Sequence, residues 1–202
     1  MTQQASLPTT AGAEVVHLDP YPNASAGNAS FGLWRQIVED WSTNGRDWTR
    51  PGFRTLAFYR FGVWRMGIRS KLLRAPFSMF YRTLYRRARN RYGIELSYSV
   101  NVGRRLIIEH QHGIVIHGNT VIGDDCIIRQ GVTLGIRSVE RPTEAPVLGN
   151  RVDVGAGAKI LGPVRIGDDA KIGANAVVLC DVPAGATAVG IPAKIIKRQD
   201  GN

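Results

Sequence analysis

The stretch from Arg104 to Gly118, RRLIIEHQHGIVIHG, holds three of the chain's four histidines, His110, His112 and His117, with Glu109 directly before the first. Imidazoles this close together can bind a metal, or one of them can carry a proton near neutral pH. A zinc site needs donor side chains that converge on one point. Here a strand-like path sends Ile108, His110 and His112 along a bulge, and no cysteine is near in sequence, so the spacing argues against a metal. Two readings stay open at this point: one general base with two bystanders, or three ordinary exposed polar residues.

The elements that must position these residues announce themselves by a period of six. Inward aliphatics recur at Leu96, Val102 and Ile108; at Ile116, Ile122, Ile128 and Leu134; and at Leu148, Val154, Ile160, Ile166, Ile172 and Val178. Several are followed by glycine. Six matches neither a helix nor a simple strand, and a sustained fixed period marks a solenoid with one short strand and one tight turn per hexad. Three hexads per coil give a triangular prism with a continuous aliphatic core. The register breaks twice. Ile108 and Ile116 are eight apart, which predicts a two-residue bulge at EHQHG, and Leu134 and Leu148 are fourteen apart, which predicts a loop over residues 135–147. Irregularities in a regular scaffold are where function tends to sit.

Upstream the pattern is helical. Apolar residues return every three or four positions through FRTLAFYRFGVWRMGIRSKLLRAPFSMFYRTLYRRARNRYG, with Pro76 expected to separate two helices or to sit in the first turn of the second. The net charge of +10 is concentrated here, since residues 30–92 carry fourteen Lys or Arg against Glu39, Asp40 and Asp47. No helix-turn-helix, zinc-finger or RNA-binding signature accompanies the arginines, which excludes nucleic acid as the expected partner. An arginine-rich interfacial helix in peripheral contact with a membrane stays open beside a small helical cap. Two cysteines without a metal or redox spacing fit a reducing, cytoplasmic setting, at the inner face of the membrane if the helices touch lipid. The N-terminal 30 residues read as a flexible lead-in without signal-peptide character. The expected organisation is a lead-in over 1–30, a basic helical domain over 31–93, a solenoid over 94–196 and a tail over 197–202.

The repeat, with GDDCIIRQGVTLG and VGAGAKILGPVRIGDDAKIGANAVVLCDVPAGATAVGIPAKII after arginine-rich helices, resembles the hexapeptide-repeat acyltransferases of the serine O-acetyltransferase family, and is most similar to short members associated with exopolysaccharide and capsule biosynthesis. The resemblance implies a left-handed parallel β-helix with a small N-terminal helical domain, assembled as a homotrimer or a dimer of trimers with active sites between subunits. It implies acetyl-CoA as acetyl donor and no metal. It places the general base on His110 and its orienting acid on Glu95, leaving His112 and His117 as exposed polar residues. Acceptor-binding positions fall on Glu109 and, in the helical domain, on Asp40. In the long loop the family's Arg-His pair is replaced by Glu144 and Ala145, and an acid there would repel a serine carboxylate. On the donor side the resemblance assigns Ala156 and Ala174 to a groove for the pantetheine arm, with Lys171 nearby and Lys194 or Lys197 to meet CoA phosphates, and the backbone N–H groups near Gly135 are candidates for stabilising the tetrahedral oxyanion.

These features lead to an acetyl-CoA-dependent O-acetyltransferase whose acceptor is a saccharide in exopolysaccharide assembly. Serine O-acetylation is the alternative, and a non-catalytic trimeric scaffold is the second. The terminal sequence KRQDGN lacks the isoleucine by which the family's cysteine-synthase partners engage, so no such complex is expected.

Overall fold

The computed structural model describes residues 32–196, so the expectations for the lead-in and for the tail lie outside the described residues. From Ile94 onward the chain winds a three-faced prism. Face A stacks β1 (Ile94–Leu96), β4 (Ile114–Ile116), β7 (Thr133–Gly135), β10 (Lys159–Leu161) and β13 (Val177–Val178). Face B stacks β2 (Asn101–Val102), β5 (Val121–Ile122), β8 (Val147–Leu148) and β11 (Arg165–Ile166). Face C stacks β3 (Ile107–Glu109), β6 (Ile127–Arg129), β9 (Asp153–Val154), β12 (Lys171–Ile172) and β14 (Thr187–Val189), and β15 (Lys194–Ile196) closes it as an antiparallel strand. All other pairings are parallel, one coil to the next. This is the three-sided solenoid expected from the period of six, and the left-handed parallel β-helix that the family resemblance implies.

Every hexad aliphatic predicted to point inward is at most 4% exposed. A second inward ladder lies two residues earlier in each hexad, at Ile94, Val100, Leu106, Ile114, Thr120, Cys126, Val132, Pro146, Val152, Ala158, Val164, Ala170 and Ala176. Alternate residues of a strand share a face, so both positions enter the prism. The second ladder is interrupted as a run of large aliphatics because Thr120, Cys126, Pro146, Ala158, Ala170 and Ala176 stand in it.

Along the edge from face B to face C, a non-glycine residue takes a positive φ in each of four coils: Arg105, Asp125, Arg151 and Asp169, at 56° to 60°. Left-handed backbone is costly for such residues. The four alternate in charge and pair down the edge, Arg105 Nε donating to Asp125 Oδ1 at 2.6 Å and Arg151 Nε to Asp169 Oδ1 at 2.7 Å. Glu39 of the first helix extends the series upward, at 2.6 Å from Arg104 and 3.2 Å from Arg105. Hydrogen bonds from Arg104 hold Glu39 below its ordinary 4.5, and those from Arg105 and Arg151 hold Asp125 and Asp169 below 3.8. A depressed carboxyl adds stability that is present above its unfolded value and is lost as pH falls through the folded one. The unfolding midpoint is therefore expected to change little from these groups between pH 7 and 5 and to fall below pH 4. Glu39→Gln together with Asp125→Asn should flatten that acid limb in thermal melts followed by circular dichroism.

Three helices precede the prism: α1 (Leu33–Thr43), α2 (Pro51–Met66) and α3 (Lys71–Arg87), the last running into a π turn over Ala88–Tyr92 that ends at Gly93, φ 62°. Pro76 lies inside α3, not between helices. The break falls at Gly67–Ser70, where the Ser70 hydroxyl accepts from Leu73 N and starts α3. At the sixth position of the helix Pro76 lies beyond the first turn, in which a proline is tolerated, and it forgoes the backbone bond its N–H would make to Leu72 O. The helices serve as the upper cap of the solenoid, whose first coil has no coil above it to pair with. Tyr59 Oη donates to Val100 O at 2.8 Å, Arg60 donates to Val102 O and Gly103 O at 3.2 and 2.7 Å, and Asn44 Nδ2 donates to Leu106 O at 3.1 Å. No described helix is long and apolar enough to cross a membrane.

Candidate active site

The predicted bulge is present, and the C-to-A edge explains its form. In the lower coils this edge turns through Gly131, Gly157 and Asn175, each with φ between 56° and 74°. In the first coil Gly113 occupies that position, and the two extra residues push His110 and His112 outward with φ 63° and 76°. The backbone of His112 stays in the ladder, its N–H donating to Tyr92 O at 2.9 Å and its carbonyl accepting from Gly131 N at 3.0 Å. His110 is thereby left exposed on the bulge. His117 is a turn residue on a different edge, its Nδ1 accepting from Asn119 N at 3.3 Å. The three imidazoles thus do different jobs. Among the described residues no group of three or more His, Cys, Asp or Glu gathers in a metal-binding arrangement.

His110 borders a cleft of 210 Å³ together with Ile108, Glu109 and Gln111 from the prism and Arg50, Pro51 and Gly52 from the start of α2. Gly52 makes the closeness possible. A Cβ added there would sit 2.2 Å from Ile108 O, so no larger residue fits without displacing the helix. Gly52→Ala is expected to cost about 1–3 kcal/mol by overpacking and to open the cleft. A lowered unfolding midpoint with a raised acceptor KM in the folded enzyme would report both effects.

Glu109 lies on the rim, half-exposed, with Oε2 2.9 Å from Arg129 Nε, and Arg129 also pairs with Asp153 one coil lower. Glu95 is not hydrogen-bonded to His110. It lies within β1 opposite Val115, and its Oε1 accepts from Tyr85 Oη at 3.2 Å, while the bulge carries His110 out along the neighbouring edge. Burial, with the Glu95 carboxylate beside it, pushes the Tyr85 phenol up to about 12, which keeps Tyr85 a donor to Glu95.

The acceptor-binding expectation for Asp40 is overturned. Its side chain is 1% exposed, and its carboxylate is gripped by Arg60, itself 3% exposed, at 2.8 Å. Burial raises the Asp40 carboxyl above its ordinary 3.8 against the opposing pull of Arg60. Asp40 is a tie between α1 and α2 and reaches no open surface. Glu144 lies in the loop over 136–146 on the A-to-B edge, where Arg141 pairs with it at 3.3 Å and neighbouring Ala145 is buried. Asn119 Nδ2 to Pro142 O and Arg137 to Leu179 O hold that loop to the prism.

The donor positions divide between edges. Ala156 and Ala174 follow one another down the C-to-A edge below His110, linked where Asn175 N donates to Ala156 O, and Lys171 is exposed on the adjoining strand β12. No side chain longer than a methyl projects from those two positions, which fits a narrow arm lying along the edge, with Lys171 as a cation for phosphate. Lys194 is exposed on β15 at the lower end. Gly135 ends β7 on the A-to-B edge beside the loop, away from the other four. Sequence reading missed Arg50, Gly52 and Arg129. The first two enter through helix docking, which no local pattern encodes. Arg129 was countable, since it lies twenty residues after Glu109 and is its strand partner.

Comparison with known proteins bears on this arrangement. Residues 145–180 match the family profile described as Bacterial transferase hexapeptide (six repeats). A protein named serine acetyltransferase from Helicobacter pylori is 43% identical over 173 residues, spanning 84% of this chain and 96% of that relative. The serine acetyltransferase of Brucella abortus in complex with coenzyme A superposes with a TM-score of 0.70 at 28% identity, covering 86% of this chain and 71% of that one. The soybean serine acetyltransferase complexed with serine gives a TM-score of 0.69 at 30% identity, with 85% and 72% covered.

Proposed function

Since this chain belongs to the serine acetyltransferase family of hexapeptide-repeat transferases, we propose that its acceptor is L-serine or a close amino-acid relative, with His110 as general base. The enzyme is an acetyl-CoA-dependent O-acyltransferase, and the reading as a non-catalytic scaffold falls with that. One observation carries the choice of acceptor: the His110 cleft offers a base, a carboxylate at Glu109 and a guanidinium at Arg50. Those three groups complement the hydroxyl, ammonium and carboxylate of an amino acid. Arg50 supplies the cation that Glu144 and Ala145 do not, and a cleft of 210 Å³ suits a small acceptor better than an oligosaccharide.

In this reading His110 takes the proton of the acceptor hydroxyl as its oxygen attacks the thioester carbonyl, then returns it to the departing thiolate of CoA. Glu109, fixed by Arg129, orients the acceptor. Acetyl-CoA supplies the activated acyl group, Ala156 and Ala174 give its arm a smooth edge, and Lys171 and Lys194 meet its phosphates. Gly135 and its neighbouring amides belong to a different edge of the prism, so they reach the same thioester only from an adjacent subunit. That supports a trimer with shared sites.

The second reading is O-acetylation of a saccharide hydroxyl in exopolysaccharide assembly, and the Arg141–Glu144 pair favours it by filling the loop position with acid. Release of CoA thiol with L-serine against a panel of nucleotide sugars separates the two. Arg50→Gln should raise the serine KM by about 10–100-fold, the worth of one charged hydrogen-bonded contact, with kcat changed little. Turnover on a sugar with silence on serine would replace the first reading by the second.

A further inference from the structure

A second polar cleft lies on the far side of the helical cap. Between Asp47 and Glu95 the chain has twelve Lys or Arg and no acid. There α2 and α3 meet through Phe61, Trp64, Phe77 and Phe80, whose rings lie 5.6–6.3 Å apart, and through Gly62 set against the Tyr81 ring. Beside this seam a cleft of 270 Å³ is lined by Arg65, Arg74, Ser78, Tyr81, Arg82 and Tyr98, with Met66 at its edge.

Arg65 is the unusual member. It is 6% exposed, yet no carboxylate among the described residues pairs with it. Its guanidinium carbon lies 4.4 Å over the Tyr81 ring and 4.5 Å over that of Tyr98, and Nη1 donates to Ser78 Oγ at 2.9 Å, while Nε has no hydrogen-bond partner. One helical stretch earlier, Arg60 is equally buried and is neutralised by Asp40. A buried charge is normally paired, because leaving water is costly, and aromatic faces offset only part of that cost.

We propose that this cleft binds a phosphate group, with Arg65 as its floor, Arg74 and Arg82 at its rim and the Ser78 hydroxyl as an added polar contact. A planar guanidinium with a free N–H suits a phosphate oxygen, and the rim arginines complete the charge. Leu72, Leu73 and Met79 are exposed on the other faces of α3, so the chemistry of the cleft itself is that of a phosphate, whether free or carried on a headgroup. The density of like charge opposes a second copy of the same helices as the occupant.

The test uses the full chain in two arms. Calorimetric titration with inorganic pyrophosphate reads a free phosphate ligand. Cosedimentation with phosphatidylcholine vesicles, with and without phosphatidylglycerol, reads a headgroup. The expected result is saturable binding in one or both arms, weakened at least about tenfold by Arg74→Gln/Arg82→Gln and by Arg65→Gln, with acetyl transfer at the wild-type rate in the double variant. The two rim residues are surface-accessible, so that variant stays informative if Arg65→Gln fails to fold. Binding in the pyrophosphate arm alone assigns a free ligand, and binding to anionic vesicles alone assigns a headgroup. No binding in either arm, binding that the rim variant leaves unchanged, or a change in oligomeric state as the variant's sole effect would overturn the proposal.

Discussion

Replacing His110 with asparagine is expected to lower kcat for acetyl transfer by about 10²- to 10⁴-fold, the usual contribution of a positioned general base, while leaving the thermal midpoint within a few degrees of wild type. Asparagine is chosen for the backbone. His110 has φ 63°, and asparagine tolerates that region better than alanine does. The side chain is exposed and makes no contact that holds the coil together, so loss of rate without loss of fold isolates the proton-transfer role. Rate measured as acceptor-dependent thiol release, with CoA binding measured separately, makes the comparison. Turnover within a few-fold of wild type would remove His110 from the mechanism, and the same substitution at His112 or His117 should then be tried for the missing base.

Asp40→Ala is expected to destabilise the protein by about 3–5 kcal/mol, the cost of breaking a buried ion pair from one side. The loss is large because Arg60 would keep its charge with only the carbonyls of Val102 and Gly103 as partners. The effect should appear as a denaturant midpoint shift, and the acceptor KM of the folded fraction should be unchanged. Had Asp40 been an acceptor ligand, the pattern would reverse, with KM rising and stability nearly constant. Changing Arg60 to methionine as well should recover part of the loss, since the uncompensated charge would be gone.

The solenoid was legible because its code is short-range and repeated: one large aliphatic per hexad, glycine or a small residue at the corner, and each coil stacked on a copy of itself. The bulge at His110 was legible for the same reason, since a spacing of eight among sixes has one physical reading. What depends on contacts between unlike elements was not. Asp40 reads as an available acid until α1 and α2 close over it, and Pro76 reads as a helix break until Ser70 is seen capping α3. The contribution of Arg50 and Gly52 exists only once α2 docks against Ile108. Glu95, counted back one coil from His110, lies on the expected coil, but its carboxylate is taken up by Tyr85, which a count along the chain cannot register.

The alternation of Arg105, Asp125, Arg151 and Asp169 down one edge gives the solenoid a parity. Beneath the bulge and the loop, neighbouring coils repeat the same three strands around the same aliphatic core, so by the core alone a single coil could be removed or duplicated without loss of shape. Removing the coil that carries Asp125, however, would bring Arg105 over Arg151, and duplicating it would set aspartate over aspartate. Along this edge the unit that can be gained or lost without placing like charges together is two coils, and the chain has the grammar of a couplet where its hydrophobic core has that of a single line.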